Sequence, residues 1–330
     1  MHLLAHRTPR TVKNYEYIFL AYARFLGVPL DEIHNHLVPE NLIKFSESLQ
    51  DWSPKTIRVY MAILHRYFVL NGVTFDPLEL NIVRAYRMEE PDDKPLELST
   101  LQKMMDLTNV HGKAILSTLI STGMRRSECA KVLLSDLDGD TIKIRSEIAK
   151  GGRGGTVYLT SEAQEFVTLW LRERDEYIRR AGLKLWSEHR PTDDQRLFAC
   201  SGSTMRDIFA RLYQKVDGEK GKYHDRCTLH SCRRYFRTHA VQSMPLDLVE
   251  KILRHTGYLT GSYVRISDEE ARKGFHDGEH VLYITRKDQR MTQTQIDTLH
   301  REKVELEAAL SGRITLMEKR MEEIVQKGRK

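Results

Sequence analysis

The stretch "RMEEPDDKPLELST", residues 87–100, divides the chain. Acidic side chains crowd it, two prolines interrupt it and few apolar residues could anchor it, so it reads as an exposed linker. A chain of 330 residues cut there is expected to build a core on each side. Before the cut, the pattern is helical. In "TPRTVKNYEYIFLAYARFLG", Val12, Tyr15, Phe19, Tyr22 and Leu26 fall at the 3- and 4-residue steps of a helical face. "SPKTIRVYMAILHRYFVLNG" carries its own punctuation, with Ser53 as N-cap, Pro54 at the first helical position and Gly72 as terminator. Asp76-Pro77 repeats the start signal, and a short helix is expected from Pro39. Together these predict a four-helix module.

After the cut, helices and short strands mix. Ser99 and Gln102 have the spacing of a capping box. "VHGKAILSTLISTGMRRSECAKVLL" reads as helix, tight break at Gly123, helix. "DTIKIRSEIAKGGRGGTVYLT" reads as strand, strand, Gly-rich turn, strand, on the alternation in "TIKIR" and "TVYLT". "SEAQEFVTLWLRERDEYIRRAG" is an amphipathic helix, and further helices are expected near 203–216, 230–243 and 245–254. "HVLYIT", residues 280–285, is a candidate strand. From Ile296, apolar or aliphatic-stemmed residues recur to position 324 at steps of 3 and 4, with one stutter at Leu310. That is a coiled-coil-like seam, which serves either packing on its own protein or packing between protomers. The expected organisation is mainly α with a small antiparallel sheet. It comprises a helical domain over 1–88, a linker over 89–98, a mixed α+β domain over 99–275, and a C-terminal strand and helical extension over 276–330.

Composition narrows the class without deciding it. A net charge of +6 and a pI near 9.0 fit a nucleic-acid partner, as they fit many other proteins. No apolar run reaches the length of a membrane span, and the N-terminal apolar stretch is too short for a secretory signal. Cys129, Cys200, Cys227 and Cys232 lack the spacing of a disulfide framework, so they are expected to be reduced thiols in a cytoplasmic protein.

Four boxes could carry chemistry. In "STGMRRSE", Arg125 or Arg126 stands at a helix restart, where free N–H groups favour an anion; a salt bridge to Glu128 is the plainer use. In "AKGGRGG", Lys150 and Arg153 sit on a Gly-rich tip, and a lysine there could protonate a leaving alkoxide; a solvated turn is the alternative. In "HDRCTLHSCRRYFRTHA", His230 and Arg233 lie one helical turn apart, and Arg234 and Arg237 share another face. Its His224, Cys227, His230 and Cys232 lack the paired spacing of a zinc site. In "LRHTGYLTGSYVRIS", His255 precedes Tyr258 and Tyr263. A phenol of pKa near 10 attacks phosphorus at neutral pH only where positive charge stabilises phenolate and phosphorane together.

Taken in order, these boxes resemble those of the tyrosine recombinase (integrase/Xer) family. The resemblance selects Arg125, Lys150, His230, Arg233, His255 and, as nucleophile, Tyr263. It departs at Arg254, where the family has glycine, and in the His255-to-Tyr263 interval, one residue shorter than usual. It implies a core-binding domain joined to a catalytic domain, and DNA cut through a 3′-phosphotyrosyl link with no metal or cofactor. Arg125 and Arg233 would clamp the phosphate, and Lys150 would protonate the 5′-oxygen. His230 would assist proton transfer at the tyrosine, and His255 would hydrogen-bond the phosphate. Lys55, Arg58 and Arg66 of the helical module, with Arg126, Arg153 and Arg234, are expected to contact DNA. The implied partners are double-stranded DNA and further copies of the chain, as a tetramer on two sites, with room for accessory DNA-bending or regulatory proteins. Type IB topoisomerase-like relaxation and non-catalytic DNA binding are the alternatives.

Overall fold

The computed structural model describes residues 8–84, 94–182, 193–219, 227–255 and 266–285. Its contacts divide the chain into two compact units, residues 1–92 and 93–330.

The first unit holds helices α1 (Pro9–Leu26), α2 (Pro39–Ser48), α3 (Pro54–Leu70) and α4 (Pro77–Arg84). Each starts on proline, whose missing N–H belongs to a position with no intrahelical partner anyway. Side chains satisfy neighbouring donors: Thr11 N donates to Thr8 Oγ1 (3.3 Å), Thr56 N to Ser53 Oγ (3.3 Å), and Leu78 N to Asp76 Oδ1 (2.7 Å). Ile18, Tyr22, Phe45, Ile57, Met61, Leu64 and Phe68 fill the core. The buried centre of α1 is thus Ile18 and Tyr22, with Val12, Tyr15, Phe19 and Leu26 half-buried at its flanks.

The second unit opens with α5 (Leu98–Leu107) and α6 (Val110–Thr122). Lys94 pairs with Glu219 (2.9 Å) and Leu96 is buried, so the described end of the predicted linker packs on this unit. From His111 to Thr122, α6 is buried on every side except at Lys113, and α8 and α10 pack against it. The short α7 (Arg126–Cys129) follows, then strands β1 (Leu137–Asp138), β2 (Thr141–Ile144) and β3 (Gly155–Tyr158), antiparallel in the order β1-β2-β3. Thr141 faces Tyr158 and Ile144 faces Gly155, which leaves 145–154 as the connecting loop. Only one of the two strands read before the Gly-rich turn forms, and Leu137–Asp138 adds a strand outside the predicted segment. Helices α8 (Ser161–Gly182), α9 (Gly202–Val216), α10 (Ser231–Ala240), α11 (Leu246–Leu253) and α12 (Asp268–Gly278) complete the unit.

Two expectations fail for one reason. Residues 279–282 form a 3₁₀ turn, and 280–285 are not a strand. Leu282 and Ile284 are buried and alternate with half-buried Val281, Tyr283 and Thr285, so the alternation is real. Side chains meet its backbone needs in place of a neighbouring strand: Glu162 accepts from Ile284 N and Thr285 N (both 2.7 Å), and Gln102 Nε2 donates to Ile284 O (2.9 Å). Gln102 is therefore no capping residue, and α5 starts on Glu97 without a side-chain cap. Helix α12 crosses residue 275 and is docked by Arg272 on Asp140 (2.8 Å) and by Lys251 on Asp268 (2.9 Å). The seam beyond Ile296 lies outside the described residues.

Candidate active site

Gly123 ends α6 at φ +57°, and a Cβ there would lie 2.5 Å from Phe236 Cδ1. Glycine is required twice over, for the left-handed turn and for the close approach of α10. The turn delivers Arg125 to the start of α7, where Glu128 is fully buried. One oxygen of Glu128, Oε2, accepts from Arg125 N (3.0 Å) and Arg254 Nη2 (2.5 Å). The other, Oε1, accepts from Arg125 Nη1 (3.0 Å) and, at 3.4 Å, from the backbone N–H of Lys150 on the hairpin loop. The plain salt bridge open to Arg125 does form, but to a carboxylate sealed from water. Burial pushes the Glu128 carboxyl up, yet Arg254 and then Arg125 outweigh it and hold it below the usual carboxylate range.

Arg233, in the first turn of α10, joins the chain segments. Its Nη1 donates to Gly123 O (2.6 Å) and its Nη2 to Leu253 O (2.7 Å). These carbonyls stand two residues before Arg125 and two before His255, so Arg233 fixes both at once. It is only 6% exposed, and burial and the Arg125 charge pull it down to about 10, still cationic at neutral pH. His230 caps α10 and is exposed, whereas Arg233 one turn on is buried.

His255 follows the end of α11, and its Nδ1 lies 2.5 Å from Glu250 Oε2. Glu250 also accepts from Arg237 Nε (2.8 Å). Burial raises the Glu250 carboxyl, and the bonds from Arg237 and His255 more than reverse this. Arg254 occupies the left-handed C-cap of α11 at φ +54°, where glycine would be unstrained. Its side chain is 5% exposed.

The sequence-predicted residues thus separate into groups. Arg125, Arg233 and His255 converge around the ends of α6 and α11, and the backbone of Lys150 reaches them through Glu128. Lys150 and Arg153 are exposed on the loop; Arg234 is exposed on α10, and Arg126 is half-buried beside Gly202. Lys55, Arg58 and Arg66 are exposed on α3 in the first unit. Tyr258 and Tyr263 lie outside the described residues. Glu128, Glu250 and Arg254 are structurally central and were not among the expected site residues. Glu128 sits at the third position of α7, the place from which a carboxylate reaches back to its own helix start, so that signal was readable. No sequence rule links Glu250 to His255. Among the described residues, no group of three or more His, Cys, Asp or Glu could hold a metal ion, and no helix is long and apolar enough to cross a membrane.

Comparison with known proteins identifies the family and the fold. A tyrosine recombinase XerC of Shewanella amazonensis is 24% identical over 288 residues, 83% of this chain and 90% of the relative. The solved Tn1549 transposon integrase, in complex with transposon right end DNA, has a TM-score of 0.57 at 17% identity over 82% of this chain and 93% of that one. A lambda integrase dimer bound to a COC' core site has a TM-score of 0.54 at 16% identity, covering 79% and 93%. At these identities the structural likeness is one of fold. The model of the phage integrase family matches residues 94–270, more than half of the chain and every element that converges on Arg233. The chain belongs to the phage integrase family, the tyrosine recombinases.

Proposed function

We propose that this chain is a site-specific DNA recombinase that cuts and rejoins duplex DNA through a 3′-phosphotyrosyl intermediate. One observation carries the reading. Arg125, Arg233 and Arg254 gather around a single buried carboxylate, Glu128, while Glu250 is shared by Arg237 and His255. Positive charge exceeds negative there, and a phosphodiester is the anion that balances it. The relatives and neighbours support it: XerC is a tyrosine recombinase, and the two integrases above were solved on DNA.

In this reading Tyr263 attacks the scissile phosphorus and the bond to the 5′-oxygen breaks. Lys150 gives that oxygen its proton, and His230 assists removal of the phenolic one. Arg125 and Arg233 neutralise the non-bridging oxygens, and His255, oriented by Glu250, donates to one of them. The ester energy is kept in the tyrosyl link, so rejoining is attack by a 5′-hydroxyl in reverse. Lys55, Arg58 and Arg66 on α3 grip backbone phosphates through the first unit, and Arg126, Arg153 and Arg234 do so around the site. The active form is a homo-oligomer, a tetramer on two sites, as a lambda integrase was solved as a tetramer on a Holliday junction. Accessory DNA-bending proteins fit the same scheme.

The test uses a DNA site selected by binding from a randomised pool. Replacing Arg125 or Arg233 with alanine should abolish the covalent protein–DNA adduct on a nicked site while much of the salt-sensitive binding survives. Adducts at wild-type level in either variant refute the clamp, and relaxation of supercoiled DNA lacking the site identifies a topoisomerase instead.

A further inference from the structure

Arg254 adds to the positive charge of the site but has no step of its own in the chemistry above, and the structure makes it conspicuous. It holds a left-handed backbone at φ +54°, unfavourable for any side chain, and then buries that side chain to 5% exposure. Its Nη2 donates to Glu128 Oε2 at 2.5 Å, and its Nε is buried with no hydrogen-bond partner among the described residues. The same side chain touches the hairpin at a second point. A Cβ built on Gly155, the first residue of β3, would lie 3.0 Å from Arg254 Cδ and 3.3 Å from its Cγ. Glu128 in turn accepts from the backbone N–H of Lys150 at 3.4 Å. One arginine therefore bears on the hairpin twice, through Glu128 at Lys150 of the loop 145–154 and directly at Gly155, where β3 begins.

We infer that Arg254 is a positioning residue for the Lys150 loop, setting where the leaving-group proton is delivered. The inference rests on the reading of Lys150 as proton donor. Arg254 contacts neither the nucleophile nor the 5′-oxygen in this account. It fixes Glu128 and the β3 end of the loop so that Lys150 is held in reach of the DNA, where a freely moving Gly-rich loop would place it only part of the time.

Single-turnover cleavage of two matched substrates tests this, one with the ordinary scissile phosphodiester and one with sulfur in place of the bridging 5′-oxygen. A thiolate leaves without a proton, so a defect in proton delivery disappears on the sulfur substrate. Arg254→Gly removes both contacts and relieves the backbone strain; Arg254→Met keeps the methylene packing on Gly155 and removes the guanidinium. Both should cleave the ordinary site more slowly, Arg254→Gly by about thirtyfold, and both should approach wild-type rates on the sulfur substrate. A deficit equal on both linkages, no deficit at all, or about tenfold weaker DNA binding in both variants assigns Arg254 to the phosphate or to the fold and overturns the inference. Lys150→Ala separates the two levels. If sulfur rescues Lys150→Ala but not the Arg254 variants, the inference alone falls; if sulfur fails to rescue Lys150→Ala, the proton-donor reading falls and takes the inference with it.

Discussion

Glu128→Gln should cost this protein stability far beyond what an isosteric change usually does. Glu128 is 0% exposed, and its two oxygens accept from Arg125 N, Arg125 Nη1 and Arg254 Nη2 at 3.0, 3.0 and 2.5 Å. All of these groups are donors. A glutamine must turn its own NH₂ toward at least one of them, which places donor against donor in a site closed to water. It also leaves Arg254, itself 5% exposed, without a countercharge. Breaking a buried ion pair on one side costs about 3–5 kcal/mol. For a folded unit of this size, that is a fall in midpoint temperature of roughly 6–20 °C. The pH dependence adds a second signature. The folded-state pKa of Glu128 lies below its ordinary value, so its contribution is full above the ordinary carboxylate range and fades as pH falls through the folded pKa. The gap between wild type and Glu128→Gln should therefore narrow on acidification. Thermal or urea unfolding of the full chain at neutral and acid pH reads both effects. A loss under about 1 kcal/mol at pH 7, or a gap that widens in acid, would refute the reasoning.

Other consequences follow from the same packing. His111 stacks on Trp170 at 4.1 Å, and burial pulls it down to about 4. Neutral His111 thus favours the folded state above its ordinary pKa of 6.5, and this is lost as pH falls toward 4. The stability difference between wild type and His111→Gln should shrink by about 3 kcal/mol between pH 7 and pH 4; a constant difference in calorimetry sinks the assignment. Gly123→Ala must adopt φ +57° and meet Phe236 at 2.5 Å, so a loss of about 2–4 kcal/mol is expected by denaturant titration. Truncation after residue 285 should leave the second unit folded and able to form the covalent adduct while weakening synapsis, measured by gel shift of paired sites. Truncation after residue 275 should unfold it, because Leu282 and Ile284 are buried.

Local punctuation was legible in this sequence; long-range satisfaction was not. Pro54 and Gly123 act within their own turns, and both did what their residue types require. The family was legible for a similar reason: the boxes that point to it are short stretches, each readable without its tertiary partners. Residues 280–285 failed because alternation reports which side chains are buried but not what bonds the backbone. Glu162, more than a hundred residues away, supplied what a strand would have. Gln102 failed as a cap for the same cause, drawn to Ile284 instead of to its own helix. Glu128 and Glu250 escaped because a buried carboxylate at the centre of several arginines is defined by tertiary convergence. Arg254 was visible as a departure from glycine, but its use depends on Gly155 and Glu128, which only the fold brings to it.

The central claim is that Tyr263 becomes covalently joined to DNA under the charges held by Arg125 and Arg233. The most direct test traps the protein on a nicked site, digests the adduct and sequences the peptide that retains nucleotide. The account predicts the peptide containing Tyr263, and no adduct with Tyr263→Phe despite near-normal binding. A nucleotide on Tyr258, or an adduct that survives Tyr263→Phe, contradicts it.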